Sequence, residues 1–256
     1  MSIAYTVRMN PSSSSSPRFH LGIVTGLRYE AAIAEDAIRS VASPPGDDRV
    51  TATCHGPGPA RARSAAEALV DIGACALLSF GVAGGCNPDL PSGTVILATG
   101  VRDLSPDGAG EILYTNRGWQ RRMKSLLLGN VLLEEAMLAS VAGPLTDAKS
   151  KIQIFRDTGA AAVDMESAAA ARVAIAAGIP FMALRVIVDT ADRSLPPAAM
   201  AGMTMDGAIR TGPVLRALLR RPQDIPGLVG IGIADTRARK ALKRTAAVAS
   251  PLFGGI

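Results

Sequence analysis

The feature that most constrains this chain is a set of short apolar runs that do not alternate with polar residues. Leu21–Val24, Ala74–Phe80, Thr94–Thr99 and Phe181–Val188 are each too short for a core helix and end at or near Gly or Asp. Half-buried strands alternate, whereas strands covered on both faces read as continuous apolar runs. Helical stretches lie between them: Tyr29–Val41, Ala60–Ile72, Arg117–Leu128, a segment from Thr146 to about Gly159, and Glu166–Ala177. Further short strands are expected at Val50–Cys54, Met137–Ala142 and Ala161–Val163. Strands alternating with helices predict an α/β protein: a three-layer α/β/α sandwich with a mixed, largely parallel central sheet. In such sheets ligands sit beyond the carboxyl ends of strands. That rule singles out Gly26–Glu30, the Gly81–Gly85 turn expected after Phe80, and Asp189.

Composition supports a self-sufficient core. The chain has 256 residues, 48% of them apolar and 19% charged, and chains of this size bury roughly 70–75% of their extended surface. Three cysteines, Cys54, Cys75 and Cys86, include no CxxC pair, so they read as small buried thiols of a reducing cytoplasm. His20 and His55 have no partner at metal-ligand spacing, so no metal and no cofactor are expected.

Charge is unevenly placed. The last 50 residues hold nine Arg and Lys against two acids, a net of +7. The whole chain carries +5, so the first 206 residues carry −2. That argues against a nucleic-acid-binding body. The basic tail is open to three readings: a solvated helical face, a subunit contact, or a peripheral contact with an anionic membrane surface. The most apolar stretch, Val173–Leu184, is 12 residues, short of the roughly 20 that span a bilayer. We expect a disordered leader at 1–18, a main domain at 19–200 and a basic helical extension at 201–256, broken at Pro213, Pro222 and Pro226.

Three acids stand where a site is expected: Glu30 after the first strand, Glu166 in Val163-Asp164-Met165-Glu166, and Asp189 ending Val186-Ile187-Val188-Asp189. Each alone has an ordinary explanation, as a first-turn acid or a turn former. Gly81-Val82-Ala83-Gly84-Gly85 lacks both the GxGxxG spacing and the P-loop lysine, yet offers bare backbone for a ligand to approach. No GxSxG surrounds Ser79, which disfavours a serine hydrolase.

Gly22-Ile23-Val24 with Glu30, Phe80–Gly85, Val163–Glu166 and Val186–Asp189, in this order, resemble the nucleoside phosphorylase/nucleosidase superfamily. Within it they are most similar to the 5′-methylthioadenosine/S-adenosylhomocysteine nucleosidase branch. The resemblance implies that Asp189 protonates N7 of a departing purine and that Glu30 activates the attacking water. It further implies that Glu166 binds the ribose hydroxyls beside Met165, and that Gly81, Val82, Ala83 and Gly84 line the pocket. The phosphorolytic branch holds phosphate with an Arg before the glycines and a Ser among them. Here those positions are Ser79 and Val82, which favours water over phosphate, although Arg28 could approach an anion. Nucleosidases of the resembled branch often carry Ser where this chain has Val188.

Leu195-Pro196-Pro197-Ala198-Ala199 and the Arg-rich tail resemble the hopanoid-associated phosphorylase subfamily. That implies adenine release from adenosylhopane, a purine nucleoside with an apolar 5′ group, by an enzyme of the cytoplasm or inner membrane face. The alternatives are a phosphate-dependent purine nucleoside phosphorylase and a non-catalytic nucleoside-binding protein. The superfamily's habit makes a homo-oligomer the default.

Overall fold

The computed structural model describes residues 19–40, 49–195, 204, 212 and 225–250. The leader expected at 1–18, the Pro196–Ala199 motif, Pro213 and Pro222 lie outside the described residues. In chain order the described elements are β1 (His20–Thr25), α1 (Arg28–Ser40), β2 (Arg49–Cys54), α2 (Pro59–Asp71), β3 (Ala76–Gly85) and β4 (Val95–Asp103). Next come β5 (Ile112–Tyr114), α3 (Arg117–Leu127), β6 (Leu133–Ser140), α4 (Ala148–Thr158) and β7 (Ala162–Asp164). The last three are α5 (Ser167–Ala176), β8 (Phe181–Ile187) and α6 (Ile225–Ala249).

Five of the described strand pairings are parallel and three antiparallel. The order runs β2-β1-β3-β7-β6-β4-β5, with β8 pairing both β3 and β4. The sheet is therefore not simply open: β3, β8, β4, β6 and β7 close a ring of pairings.

Both faces are covered, as the unbroken apolar runs require. Side chains along a strand point alternately to opposite faces, and here the two sets enter two cores. Leu77, Ala83, Ile96, Phe181 and Ile187 pack against α2 and α5. Leu21, Ile23, Leu78, Val95, Met182, Leu184 and Val186 pack against α1, α3 and α6. Helix α6 thus shares this second core: its Ala238, Leu242, Ala246 and Ala249 are buried in it. Pro226 falls in the first turn of α6 and does not break it, because a proline's missing N–H is unneeded there.

Several boundaries differ from expectation, among them the end of β4, which runs to Asp103 rather than Thr99. The glycines after Phe80 form no turn: β3 continues to Gly85, because β8 pairs residues Leu77–Ala83 and β7 pairs Gly84 and Gly85. β6 begins at Leu133, upstream of Met137, where the half-buried Glu135 is tied to Lys124 and Gln120 of α3. β5 leaves no mark in the sequence; three residues beside β4 are too few for periodicity. The expected cap Thr146 gives way to Asp147, whose carboxylate accepts from the Ser150 N–H at 2.8 Å. Cys86 is buried while Cys54 and Cys75 are half-buried, and all three are free.

Candidate active site

Strand ends β1, β3, β7 and β8 converge on a cavity of about 160 Å³. Glu30, Glu166, Asp189, Met165, Val82, Ala83 and Gly84 all line it. Gly81 does not: it sits deeper, facing the Glu30 and Arg185 side chains. Asp164 lines it too, and the rest of the wall is largely apolar, with Leu27, Pro57, Val141, Pro144, Leu145, Val163, Val188 and Leu195.

Glu30 is the third residue of α1, and its carboxylate does two things. Oε2 accepts from the N–H groups of Gly26 and Leu27 at 3.0 and 2.9 Å, the reach-back of a helix-capping acid. Oε1 turns to β3 and accepts from the Val82 N–H at 2.8 Å. The ordinary role of a first-turn acid and a place in the cavity are therefore combined in one side chain. Burial raises its pKa to about 7, against the pull of Arg185.

Glu166 occupies the N-cap position of α5 but caps nothing. Its Oε1 accepts from the Gly58 N–H at 2.9 Å, and Oε2 lies 3.5 Å from the Arg185 guanidinium. Burial raises its pKa as well.

Beneath these carboxylates lies Arg185, fully buried on β8. Its Nη2 pairs with Asp164 at 2.8 Å and donates to the Ser79 hydroxyl at 2.6 Å. Its Nε reaches the Ser167 hydroxyl at 3.3 Å, and Ser167 in turn donates to Asp164. Glu30, Asp164 and Glu166 therefore surround one cation, which keeps three buried acids compatible. Ser79, in the place where phosphorolytic relatives carry Arg, is a fully buried partner of Arg185.

Asp189 follows β8 and is held by Lys151 of α4, whose Nζ donates to Oδ2 at 2.7 Å. Burial raises the pKa of Asp189, and the lysine opposes that shift. Backbone bonds from Gly85 N to Asp189 O and from Val188 N to Ala83 O, at 2.7 and 2.9 Å, tie this strand end to the glycine-rich one.

The glycines matter through close approach. A Cβ at Gly81 would stand 2.6 Å from both the Glu30 carboxyl carbon and Nη1 of Arg185. Because both neighbours are buried and pinned, Gly81→Ala is expected to cost about 1–3 kcal/mol by overpacking. A lowered Cm without a changed m-value in denaturant unfolding would show it.

The sequence reading does not mark Arg185, Lys151, Asp164, Ser79 and Ser167 as site residues. Arg185 did carry a signal, being the single charge in Phe181–Ile187 and falling in alternation with Phe181, Ala183 and Ile187 on one face. Lys151 carried none, since Lys149 and Lys151 look alike in the helix sequence. Among the described residues no group of His, Cys, Asp and Glu is arranged to hold a metal ion.

A profile of the phosphorylase superfamily matches residues 38–220. The chain belongs to that superfamily, and with it to enzymes that cleave N-glycosidic bonds. No curated protein matches the chain. Solved structures do. The 5′-methylthioadenosine/S-adenosylhomocysteine nucleosidase of Neisseria meningitidis, in complex with methylthio-immucillin-A, is 15% identical, with a TM-score of 0.67 over 91% of this chain and 99% of that one. The Helicobacter pylori nucleosidase of the same name, with butyl-thio-DADMe-Immucillin-A, is 17% identical (TM-score 0.64, covering 92% and 96%). Futalosine hydrolase of Helicobacter pylori is 20% identical (TM-score 0.61, covering 79% and 97%). At these identities the likeness is one of fold.

Proposed function

We propose that the cavity is a nucleosidase site that releases adenine from a 5′-substituted adenosine by hydrolysis. The observation that carries this reading is the convergence of Glu30, Glu166 and Asp189 from separate elements on one largely apolar cavity. In the proposed reaction Asp189 donates a proton to N7 of the purine as the C1′–N9 bond breaks. Water adds to C1′ and gives its proton to Glu30. Glu166 accepts hydrogen bonds from the ribose hydroxyls beside Met165. Purine is a poor leaving group as an anion, and a positioned acid contributes about 10²–10⁴-fold. Carboxylates beside the sugar also favour the positive charge that develops on it.

Water is favoured over phosphate because no lysine or arginine is among the described residues lining the cavity. An anion would there have to sit among the carboxyl groups of Glu30, Asp164, Glu166 and Asp189.

The apolar wall formed by Val141, Pro144, Leu145 and Leu195 supports an apolar 5′ substituent, and the subfamily resemblance makes adenosylhopane the substrate of choice. Arg237, Lys240, Lys243 and Arg244 are exposed on α6, which suits contact with an anionic inner membrane face. No described helix is long and apolar enough to cross a membrane.

The test is adenine release from adenosylhopane and from 5′-methylthioadenosine, each with and without phosphate. We expect release from the hopane nucleoside, indifferent to phosphate. Release that requires phosphate and yields a ribose 1-phosphate would overturn hydrolysis. No release from either would return the protein to the class of nucleoside binders.

A further inference from the structure

Lys151 is a lysine with no exposed surface, inside a helix otherwise exposed or half-buried. All three of its ammonium protons have acceptors, and all three acceptors lie in the segment that follows β8. Nζ donates to Asp189 Oδ2 at 2.7 Å, to the Thr190 carbonyl at 2.6 Å and to the Arg193 carbonyl at 2.7 Å. The same segment is tied to the start of α4 at two more points. Leu195 N donates to Thr146 O at 2.7 Å, and Ala148 N donates to the Ser194 hydroxyl at 3.2 Å. Residues 189–195 therefore form a strap that crosses from the acid to the apolar rim of the cavity at Leu195, pinned at its centre by one buried cation.

We propose that Lys151 is the positioning residue of this site, holding Asp189 by one carboxylate oxygen and the rim loop by two carbonyls, so that acid and pocket wall are set together. This rests on the reading of Asp189 as the acid. A tetrahedral ammonium suits the task, because its three donors diverge toward three acceptors, whereas a guanidinium is planar and larger. With Oδ2 occupied, Oδ1 is the oxygen left for the substrate.

The charge also acts on proton transfer. When Asp189 gives up its proton it becomes a buried carboxylate, and Lys151 compensates that charge within hydrogen-bond distance. The other groups facing the acid are Arg193, on the same loop, and Cys86, after β3. The Cys86 thiol is pushed up to about 12 by burial and stays neutral. Asp192 is engaged by the Thr190 hydroxyl at 2.6 Å. Lys151 is the close cation, and it opposes the upward shift that burial imposes on Asp189. Removing it leaves burial unopposed, so the carboxyl should titrate at higher pH.

Two variants separate placement from charge. Lys151→Met removes both; Lys151→Gln removes the charge but keeps two N–H donors, one bond shorter than the ammonium. The first readout needs no turnover: the Asp189 carboxyl carbon is followed by ¹³C NMR against pH in the wild type and in both variants. We expect its titration to move to higher pH in both. The second is the pH profile of adenine release from 5′-methylthioadenosine. The limb that reports Asp189 should move the same way. For Lys151→Met, kcat should fall about tenfold or more, a share of what a positioned acid contributes, with KM little changed; Lys151→Gln should lose less. In an Asp189→Asn background Lys151→Met should cost no further turnover.

A folded Lys151→Met protein with an unmoved carboxyl titration and wild-type kcat would overturn the proposal. So would a Gln variant that cannot fold, which would make the lysine a stability element alone. A wild type inactive on the probe would count against the nucleosidase reading, while the carboxyl titration still judges the lysine.

Discussion

Asp189→Asn is expected to reduce adenine release by about 10²–10⁴-fold, the span that a positioned general acid contributes, while substrate affinity changes little. Asparagine keeps the size of the side chain and an oxygen for the Lys151 ammonium, but has no proton to give to the purine. The contrast between binding and turnover is therefore the informative quantity. Calorimetric binding of 5′-methylthioadenosine should survive as kcat collapses. The substitution also denies the buried charge of Lys151 the counter-ion that Asp189 supplies whenever it is ionised, although the Thr190 and Arg193 carbonyls remain. The melting temperature should consequently fall, as it does when one partner of a buried pair is removed. Unchanged turnover in a folded variant would remove Asp189 from the chemistry. Its cavity position would then have to be explained by the Lys151 strap alone.

Much of the architecture was legible because burial on both faces leaves a plain mark. Leu21–Val24 and Phe181–Val188 were readable as strands since each supplies side chains to two cores. The same logic failed where burial is one-sided or pairing is short. Glu134 and Glu135 hid the start of β6, and β5 is only three residues long. The glycine run misled in another way: Gly81–Gly85 reads as a turn, but strand pairing on either side holds it extended.

The three cavity acids were found by their places at strand ends and by the motif resemblance. The cations that hold them were not. Arg185 and Lys151 act through partners brought close by crossing connections, Lys151 lying 38 residues from Asp189. Sequence spacing has no register for that. A charged residue in alternation with apolar ones on a buried strand is the signal that would have found Arg185.

Loss of that arginine should be costly to stability. Arg185→Met keeps an apolar stem but removes the whole guanidinium, so the loss of a buried charge adds to the cavity that the shorter side chain leaves. Without the guanidinium, Asp164 loses an ion-pair partner at 2.8 Å and Glu166 one at 3.5 Å, while Ser79 loses its donor at 2.6 Å. Breaking a buried pair by removing one partner costs about 3–5 kcal/mol. Here the cation serves more than one acid.

The pH dependence has a definite sign. Burial already raises Glu30 to about 7 even though Arg185 pulls it down, so the folded variant would bind this proton more tightly still. A folded state that holds more protons than the unfolded chain loses stability as pH rises through the interval between the two pKa values. Arg185→Met should therefore be least impaired in acid and progressively weaker above neutral pH, with the decline reaching higher pH than in the wild type. Denaturant unfolding at a series of pH values measures both quantities. A variant as stable as the wild type at pH 8 would mean that the three acids do not depend on Arg185, and that water or their own protonation reconciles them.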